Sequence, residues 1–266
     1  MAVSATDNLE PDRAAVARVL AALTRAPRGP VEVWPRLDST NAELLRRVAG
    51  QPDRAVLIAD AQSAGRGRLG RAWLSPPGAN LYLSMFLRHP EGRPFAPGLA
   101  LALGVAACEA VRGAGFEQAG LKWPNDLLAA GRKLGGILIE SVSGLGGVVA
   151  GIGINLRLPP ELVESIGQPV ASLADFGEPP ARDDLAAALI DAWNPAADEF
   201  ALHGWTAFRS RWQALDAFAQ QPVRVRSGGE VFEGTALGVD DEGRLLLQTG
   251  GTLRAFVSAE TSLRPA

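Results

Sequence analysis

The sequence predicts an α+β fold, built on a mixed, largely antiparallel sheet with helices packed on one face. Three features of the 266-residue chain predict it. Short β-like segments follow one another over residues 121–155, and tight turns join them. A nearly uniformly apolar segment, 97–112, predicts a helix that must be covered on most sides. After residue 219, short strands alternate with glycine-rich turns, which predicts a small all-β barrel of fewer than ~50 residues.

Breaks in this pattern divide the chain into three parts. Residues 1–30 hold a tail and a single helix, because apolar residues recur at helical spacing until Pro27 ends it. Residues 31–218 form the main domain. Residues 219–266 form the small β domain, which carries its own turns and apolar alternation. We therefore expect this last part to be separable from the core.

The first elements of the main domain are two strands and the start of a helix. Residues 31–34 and 55–59 are β-rich and predict the strands. Thr40 and Glu43 have the spacing of a capping box and predict that a helix begins there. Over 81–88, leucine and methionine alternate with other residues, as expected for a half-buried strand.

The later elements follow the apolar helix. Four strands are predicted, at 121–123, 126–129, 134–142 and 148–155, with hairpin turns at 130–132 and 144–147. Residues 157–180 are rich in proline, glycine and acidic residues, which predicts a connecting or ligand-covering stretch before two further helices. The first helix begins at Asp183 or Asp184, with Pro195 as a place where it can kink, and the second covers 205–214.

Composition excludes several classes of function. The net charge is −3 and the sequence pI is about 5.5, so the molecule as a whole has no electrostatic footprint for nucleic acid. No apolar run reaches the ~18 residues of a membrane span, and the N-terminus lacks signal-peptide features, which predicts a cytoplasmic protein. Cys108 cannot form an internal disulfide and is expected to be a small core residue. With two histidines far apart, no zinc spacing exists and no structural metal is expected.

The stretch with the clearest chemistry is the loop 62–71, which alternates glycine with arginine. Its glycines allow positive φ angles and let backbone N–H groups point toward a ligand. Its arginines add planar donor forks that match carboxylate or phosphate oxygens. These residues are Gly65, Gly67, Gly70, Arg66, Arg68 and Arg71. The loop therefore predicts a site for a small anionic ligand, although a solvated basic loop has the same composition.

Three other segments add to this loop. The cluster 122–126, Lys-Trp-Pro-Asn-Asp, precedes Gly-Arg-Lys-Leu-Gly-Gly at 131–136 and Gly-Ile-Gly-Ile-Asn at 151–155, while Asp-Ser-Thr-Asn stands upstream at 38–41. Asp126 should stay ionised among so many cations. Two glycines inside an apolar strand, Gly135 and Gly136, indicate close backbone approach to a ligand.

In this order and spacing the segments resemble the bacterial biotin–protein ligases, from about Val31 to the C-terminus. The resemblance implies a class II synthetase-like catalytic domain and an SH3-like C-terminal barrel, in the form without an N-terminal DNA-binding domain. It also implies the activity: biotin is activated by ATP and Mg²⁺ as biotinoyl-AMP and passed to a lysine of a biotin carboxyl carrier protein. The family's proteins act as monomers or homodimers, and the sequence leaves both open.

The resemblance also assigns residues. It places Arg68, Lys133 and Asp126 in catalysis and fixes no metal by the protein, with Mg²⁺ arriving with ATP and near Asp126. The biotin site comprises Ser39, Thr40, Asn41, Gln62, Gly65, Arg66, Gly67, Arg68, Trp73, Lys133, Gly135 and Gly136. The ATP site comprises Arg68, Arg71, Lys122, Asn125, Asp126, Lys133 and Asn155.

Several alternatives stay open at this point. Asp126 could accept a proton from the acceptor lysine or help to hold Mg²⁺, Trp73 could be a core aromatic, and Lys133 could be a solvated turn residue. Some family members cover the adenine with a Trp, but none occurs between Asn155 and Asp191, where Phe176 is the one aromatic. A lipoate or octanoyl–protein ligase or transferase of related fold is the alternative enzyme, and a DNA-binding repressor or an inactive ligand-binding module is the alternative outside catalysis.

Overall fold

The structure is a computed structural model that describes residues 10–89, 91, 95, 97–142, 146–257 and 262–265. Its α-helices are α1 (Arg13–Ala22), α2 (Thr40–Arg47), α3 (Leu99–Gly113), α4 (Pro160–Ser165), α5 (Arg182–His203) and α6 (Arg209–Leu215). The strands of the first sheet are β1 (Val31–Leu37), β2 (Val56–Gln62), β3 (Asn80–Arg88), β4 (Ala119–Lys122), β5 (Asp126–Ala129), β6 (Arg132–Val142) and β7 (Gly147–Asn155). Those of the second are β8 (Pro222–Ser227), β9 (Glu230–Val239), β10 (Leu245–Thr249), β11 (Thr252–Phe256) and β12 (Ser262–Pro265).

The first sheet has seven strands in the order β1-β2-β3-β7-β6-β5-β4. β1 and β2 pair in parallel, and the other neighbours pair antiparallel. This confirms the predicted mixed, largely antiparallel sheet. The hairpin at 130–132 lies where predicted, with Ala130 and Gly131 at positive φ. Residues 144 and 145 of the turn predicted at 144–147 lie outside the described residues.

Helices cover both faces of this sheet, although the sequence predicted one. α1, α3 and α5 pack on one face, and α2 packs on the other, against β2, β3 and β7. β3 is consequently buried on both sides rather than half-buried: Leu83 faces α3 and α5, while Phe86 belongs to the apolar cluster of Leu44 in α2. Alternation along a strand locates one apolar face, but it does not show whether the other face is covered.

α2 begins one residue earlier than the capping box predicted. Ser39 is the N-cap, with an extended backbone, and its hydroxyl accepts a hydrogen bond from the Ala42 N–H at 3.4 Å. Thr40 is already helical, so its hydroxyl is directed to other partners. Glu43 pairs with Arg47 instead of reaching back to the cap. The helix thus starts with a buried, polar first turn that faces the sheet.

The C-terminal unit is a five-stranded antiparallel sheet, in the order β11-β10-β9-β8-β12. It shares one apolar core with the larger unit, since Val223, Val225 and Leu247 belong to the same cluster as α3 and α5. Two buried indoles cross the junction: Trp123 Nε1 donates to the Gly243 carbonyl at 3.1 Å, and Trp205 Nε1 to Asp240 at 2.8 Å. The division at 218/219 stays a prediction, but the two units do not pack independently.

The remaining elements support the core. Pro195 lies inside α5, which continues to His203. α1 packs on α5, where Arg18 Nε lies 2.6 Å from Asp183 Oδ2. Cys108 is buried in α3, and burial raises the pKa of its thiol to about 11, as suits a core residue. Among the described helices, none combines the length and apolarity that crossing a membrane requires.

Candidate active site

A cavity of about 400 Å³ opens on the α2 face of the seven-stranded sheet. α2 packs on this face mainly over β2, β3 and β7, and its Asn41 lies over Gly151. Beyond the helix, Gly136 on β6 and Gly153 on β7 have no side chain that would fill the cavity. The loop 62–71 and the two residues after it, Ala72 and Trp73, close the cavity from above. The C-terminal unit contributes Leu263 and Arg264. The site is therefore a pocket between a rigid sheet and a loop.

Two lysines and one carboxylate form the floor. Lys122 Nζ lies 2.8 Å from Asp126 Oδ2, and Lys133 Nζ lies 2.7 Å from Asp126 Oδ1. Burial alone would raise the pKa of the Asp126 carboxyl, but the charges of Lys133 and Lys122 outweigh it and hold this pKa below its usual value. Burial lowers the pKa of Lys122, against the opposing effect of Asp126. Asp126 therefore stays anionic and holds two ammonium groups at fixed positions.

The strands bring these residues together directly. β4 and β5 form a hairpin in which Lys122 pairs with Asp126, and on the next strand Asp126 pairs with Gly136. A Cβ on Gly136 would lie 3.4 Å from Asp126 Oδ1 and 3.5 Å from Lys133 Nζ. The missing side chain leaves the carboxylate open to both lysines.

The loop carries the arginines. Its backbone folds back on itself, since the Gly67 N–H donates to the Arg71 carbonyl at 2.8 Å and the Trp73 N–H to the Gly65 carbonyl at 2.9 Å. Arg68 points into the cavity, donates to Asn125 Oδ1 at 3.2 Å, and burial lowers the pKa of its guanidinium. Arg71 lines the rim and is exposed. The loop thus adds a partly buried guanidinium above the floor.

Trp73 forms one wall. Its ring lies against β7, so close to Gly153 that a Cβ there would be 2.7 Å from the indole. Lys133 Nζ lies 5.3 Å from the ring centroid, within cation–π range. The indole Nε1 is buried and has no hydrogen-bond partner among the residues that the structure describes. A buried donor of this kind calls for a partner, which a ligand acceptor could supply.

A polar network closes the far end. Gln62 Oε1 accepts from the Thr40 N–H at 2.8 Å, and its Nε2 donates to Ser75 Oγ at 2.9 Å. Ser39, at the N-cap of α2, also lines this end. The hydroxyls and the amide at this first helical turn offer both donors and acceptors to a polar ligand group.

Nearly all of the residues predicted for the site line this one cavity. They are Ser39, Thr40, Asn41, Gln62, Arg66, Gly67, Arg68, Arg71, Trp73, Lys122, Asn125, Asp126, Lys133, Gly136 and Asn155. Gly65 and Gly135 lie behind the wall instead. A Cβ on Gly65 would meet the Trp73 carbonyl at 2.4 Å, and one on Gly135 would meet the Gly153 carbonyl at 2.6 Å. Other atoms do approach both glycines closely, but these atoms belong to neighbouring backbone and not to the cavity.

Asn155 supports part of the stretch 157–180, for which the sequence predicted a connecting or ligand-covering role. Its Nδ2 donates to the Ala171 carbonyl at 2.9 Å, and Lys133 forms a parallel bridge with Val170. The segment thereby held beside the cavity contributes Ser165, Ile166, Gln168 and Val170 to its wall. Phe176 is not part of the wall and lies beneath the Arg132 guanidinium. The composition of this stretch allowed a ligand-covering role but did not show which of its residues reach the cavity.

The donor set does not form a cage for a metal ion. Within the described residues, no three His, Cys, Asp or Glu side chains come together. The carboxylate in the cavity, Asp126, has both oxygens engaged by lysines. Mg²⁺ would therefore have to enter with a phosphate ligand rather than be held by protein alone.

Chemically, the cavity can bring two anions together. Lysines on its floor and arginines on its loop screen negative reactants, and electrostatic stabilisation of this kind is strongest in a site that excludes water. The polar end at Gln62 and the Trp73 wall suit a neutral, partly apolar group. The arrangement fits the activation of a carboxylic acid by a nucleotide.

Known proteins resemble the chain in both sequence and structure. Residues 33–158 match the model of the "Biotin/lipoate A/B protein ligase family", and residues 220–264 that of the "Biotin protein ligase C terminal domain". The bifunctional ligase/repressor BirA of Escherichia coli is 40% identical over 241 residues, which cover 90% of this chain and 75% of that protein. The biotin–[acetyl-CoA-carboxylase] ligase of Mycobacterium tuberculosis is 38% identical over 239 residues, covering 82% of this chain and 85% of that one.

Among solved structures, the biotin protein ligase of Aquifex aeolicus in complex with biotin and ATP superposes with a TM-score of 0.78. It is 27% identical and covers 89% of this chain and 99% of that one. The biotin protein ligase of Leishmania major in complex with biotin gives a TM-score of 0.61 at 26% identity, over 87% of this chain and 99% of that one.

Proposed function

The chain belongs to the biotin protein ligase family, and from this we infer that it is an ATP-dependent enzyme that attaches biotin to protein. The observation that carries the inference to this chain is its cavity, in which Lys122 and Lys133 both pair with one buried carboxylate, Asp126, while Arg68 of the loop lines the same cavity. Such a site suits a reaction in which two anions must meet.

We propose that the reaction has two steps. The biotin carboxylate attacks the α-phosphate of ATP, pyrophosphate leaves, and biotinoyl-AMP remains bound. The amine of an acceptor lysine then attacks the acyl carbon and AMP leaves. Lys133 reaches the carboxylate and later the acyl phosphate, while Lys122 and Arg68 screen the phosphate. Asp126 keeps both ammonium groups aligned, and its low pKa leaves it an anion that can accept a hydrogen bond from the incoming lysine.

We propose positions for the two substrates on the same basis. The ureido head of biotin has donors and an acceptor for the Gln62 and Ser39 end, and its ring packs on Trp73. Adenine lies at the Asn155 end, covered by Ile166 and Val170 in place of the absent Trp. Mg²⁺ enters as the ATP complex, since the described part of the chain offers no cage of its own.

The acceptor we propose is a lysine of a biotin carboxyl carrier protein or domain, because ligases of this family are named for a carboxylase. The reaction consumes ATP, so we place the enzyme in the cytoplasm.

One experiment separates this proposal from its alternative. Pyrophosphate exchange into ATP is measured with biotin, lipoate and octanoate in parallel, each with Mg²⁺. We expect exchange with biotin and little with the other two acids, because the polar end at Gln62 matches a ureido group that they lack. Exchange with lipoate or octanoate but not with biotin would make the chain a lipoate-type ligase.

A further inference from the structure

Glu140, on β6, lies outside the cavity wall but is linked to it by a chain of hydrogen bonds. Arg66 Nη2, which lines the cavity, lies 3.1 Å from Glu140 Oε1 and 3.3 Å from Oε2. Glu140 Oε2 accepts from Asn41 Nδ2 at 2.8 Å. Asn41 Oδ1 in turn accepts from the buried Ser84 hydroxyl at 2.6 Å. This series of hydrogen bonds runs from the centre of the sheet to the loop.

Asn41 acts as a rigid strut in this chain. Ser84 on β3 pairs with Gly151 on β7, which pairs with Leu138 on β6, so the three residues form one row across three strands. The Asn41 amide lies over that row, and Nδ2 also approaches the Leu138 carbonyl at 3.3 Å. A Cβ on Gly151 would be 2.0 Å from Asn41 Oδ1. The glycine therefore makes room for the strut, and the strut fixes the Glu140 carboxylate.

The loop needs such an anchor. Arg66 is 44% exposed, and a long side chain in water loses rotational freedom when it is held in one place. A carboxylate fixed by the sheet removes part of that cost before a ligand arrives. We propose that Glu140 is a positioning residue that holds the Arg66 guanidinium at the biotin end of the cavity, with Asn41 as its strut. The proposal rests on the proposed function, because it assumes that Arg66 contacts biotin.

The chain provides a matched control in Glu43. This glutamate also pairs with two arginines, Arg46 and Arg47, and it lies on the same helix as Asn41. Neither of those arginines lines the cavity. Glu43→Gln therefore removes a carboxylate–arginine pair of the same kind without touching the loop.

The test is a double-mutant cycle on pyrophosphate exchange. Glu140→Gln is chosen because its amide oxygen can still accept from Asn41, so the strut stays in place. We expect the KM for biotin to rise by roughly 3- to 10-fold, the cost of ordering one long side chain, with kcat and the KM for ATP changed by less than about twofold. In an Arg66→Ala background the same substitution should change the KM for biotin by less than about twofold. Glu43→Gln should leave all three parameters as in the wild type.

Two outcomes would overturn the proposal. An equal effect of Glu140→Gln in both backgrounds would mean that the carboxylate acts through the fold and not through Arg66. A normal KM for biotin in Glu140→Gln alone would mean that Arg66 needs no anchor. Exchange that never depends on biotin in the wild type would instead contradict the proposed function.

A second readout does not depend on the substrate. Trypsin cleavage after Arg66 is followed by mass spectrometry on the intact, ligand-free proteins. We expect it to be severalfold faster in Glu140→Gln than in the wild type or in Glu43→Gln, because the released loop opens more often. Equal cleavage in all three proteins would show that Glu140 does not hold the loop.

Discussion

The floor and the loop of the cavity both carry positive charge, but different forces fix it. On the floor, Lys122 and Lys133 extend from paired strands, their side chains are 9% and 18% exposed, and one carboxylate holds both. On the loop, Arg66 is 44% exposed and the neighbouring Leu69 is 60% exposed. The floor is therefore fixed by the sheet, while the loop is held by a few hydrogen bonds.

This difference indicates a division of labour. Groups on strands are preorganised, and preorganised charges stabilise a transition state without further cost. A loop can open to admit substrate and close to exclude water. We therefore expect changes on the floor to affect the rate of chemistry, and changes on the loop to affect how well ligands and intermediates are kept.

The largest expected effect tests the floor. Lys133→Ala should lose both partial reactions, by about 10²–10³ in rate, because the charge is needed at the phosphate and again at the acyl group. Adenylate formation and transfer to a carrier are measured separately. Arg157→Ala, which removes an exposed cation that pairs with Glu178 outside the cavity, is the control. If Lys133→Ala made adenylate at the wild-type rate, this lysine would have no part in the chemistry. The contrast between floor and loop would then not hold.

The next effect tests the loop. Arg68→Gly should still make the mixed anhydride, more slowly, because Lys122 and Lys133 remain. It loses a charge-assisted clamp worth about 1.5–3 kcal/mol, or roughly ten- to a hundredfold in residence time of biotinoyl-AMP. The released adenylate should acylate serum albumin, which a blot for biotin detects, and Arg68→Lys should release less. If the variant still consumes ATP but the albumin carries no biotin, Arg68 does not retain the intermediate.

A smaller effect is expected where the two regions touch. Gly153→Ala would place a methyl group 2.7 Å from the Trp73 indole, which already packs against this glycine. Such overpacking costs about 1–3 kcal/mol, whose lower end corresponds to about fivefold in the KM for biotin if the ring is displaced. Gly177→Ala, with nothing within 4 Å of the new methyl group, is the control. An unchanged KM for biotin would show that Trp73 is not a wall for the ligand.

The sequence predicts the chemistry of the site better than its architecture. The loop 62–71 and the 122–126 cluster each carry their chemistry locally, so their residue types alone predict an anion site, and the structure places both on one cavity. Leu263 and Arg264 reach the same cavity from the far end of the chain. Nothing near them in sequence indicates this, because it depends on how two sheets pack.

Glycines show the same limit. A glycine in an apolar strand predicts that something approaches the backbone, but not what. Gly135 is approached by the Gly153 carbonyl, Gly153 by Trp73, and Gly151 by Asn41. The sequence predicts a ligand beside Gly135, but there, as at the other two glycines, the close neighbour is another part of the protein. Likewise, period-2 alternation in β3 located the face toward α3 but not the second one toward α2.

The smallest expected effect concerns two mostly buried carboxylates, those of Asp126 and Asp216. Asp126 has two lysines and a lowered pKa. Asp216 bridges to Leu121 at the edge of β4, and its carboxylate accepts from the Phe218 N–H at 2.9 Å. Burial raises the pKa of Asp216 to about 6, above the ordinary value of 3.8 for an aspartate. The folded protein therefore keeps a proton that the unfolded chain releases between about pH 4 and pH 6.

This sets the sign of the pH dependence. Below about pH 4 both states are protonated and the contribution of Asp216 to stability is complete; it is lost as pH rises through about 6, by at most about 3 kcal/mol. Asp216→Asn should therefore raise Tm by a few degrees at pH 7.5 and change it little at pH 4.5, because an amide oxygen can still accept from Phe218. Asp241→Asn, at an exposed carboxylate, serves as control. An equal change in Tm at both pH values would mean that burial does not raise the pKa of Asp216. The contrast with Asp126, whose pKa is lowered by two lysines, would then fail.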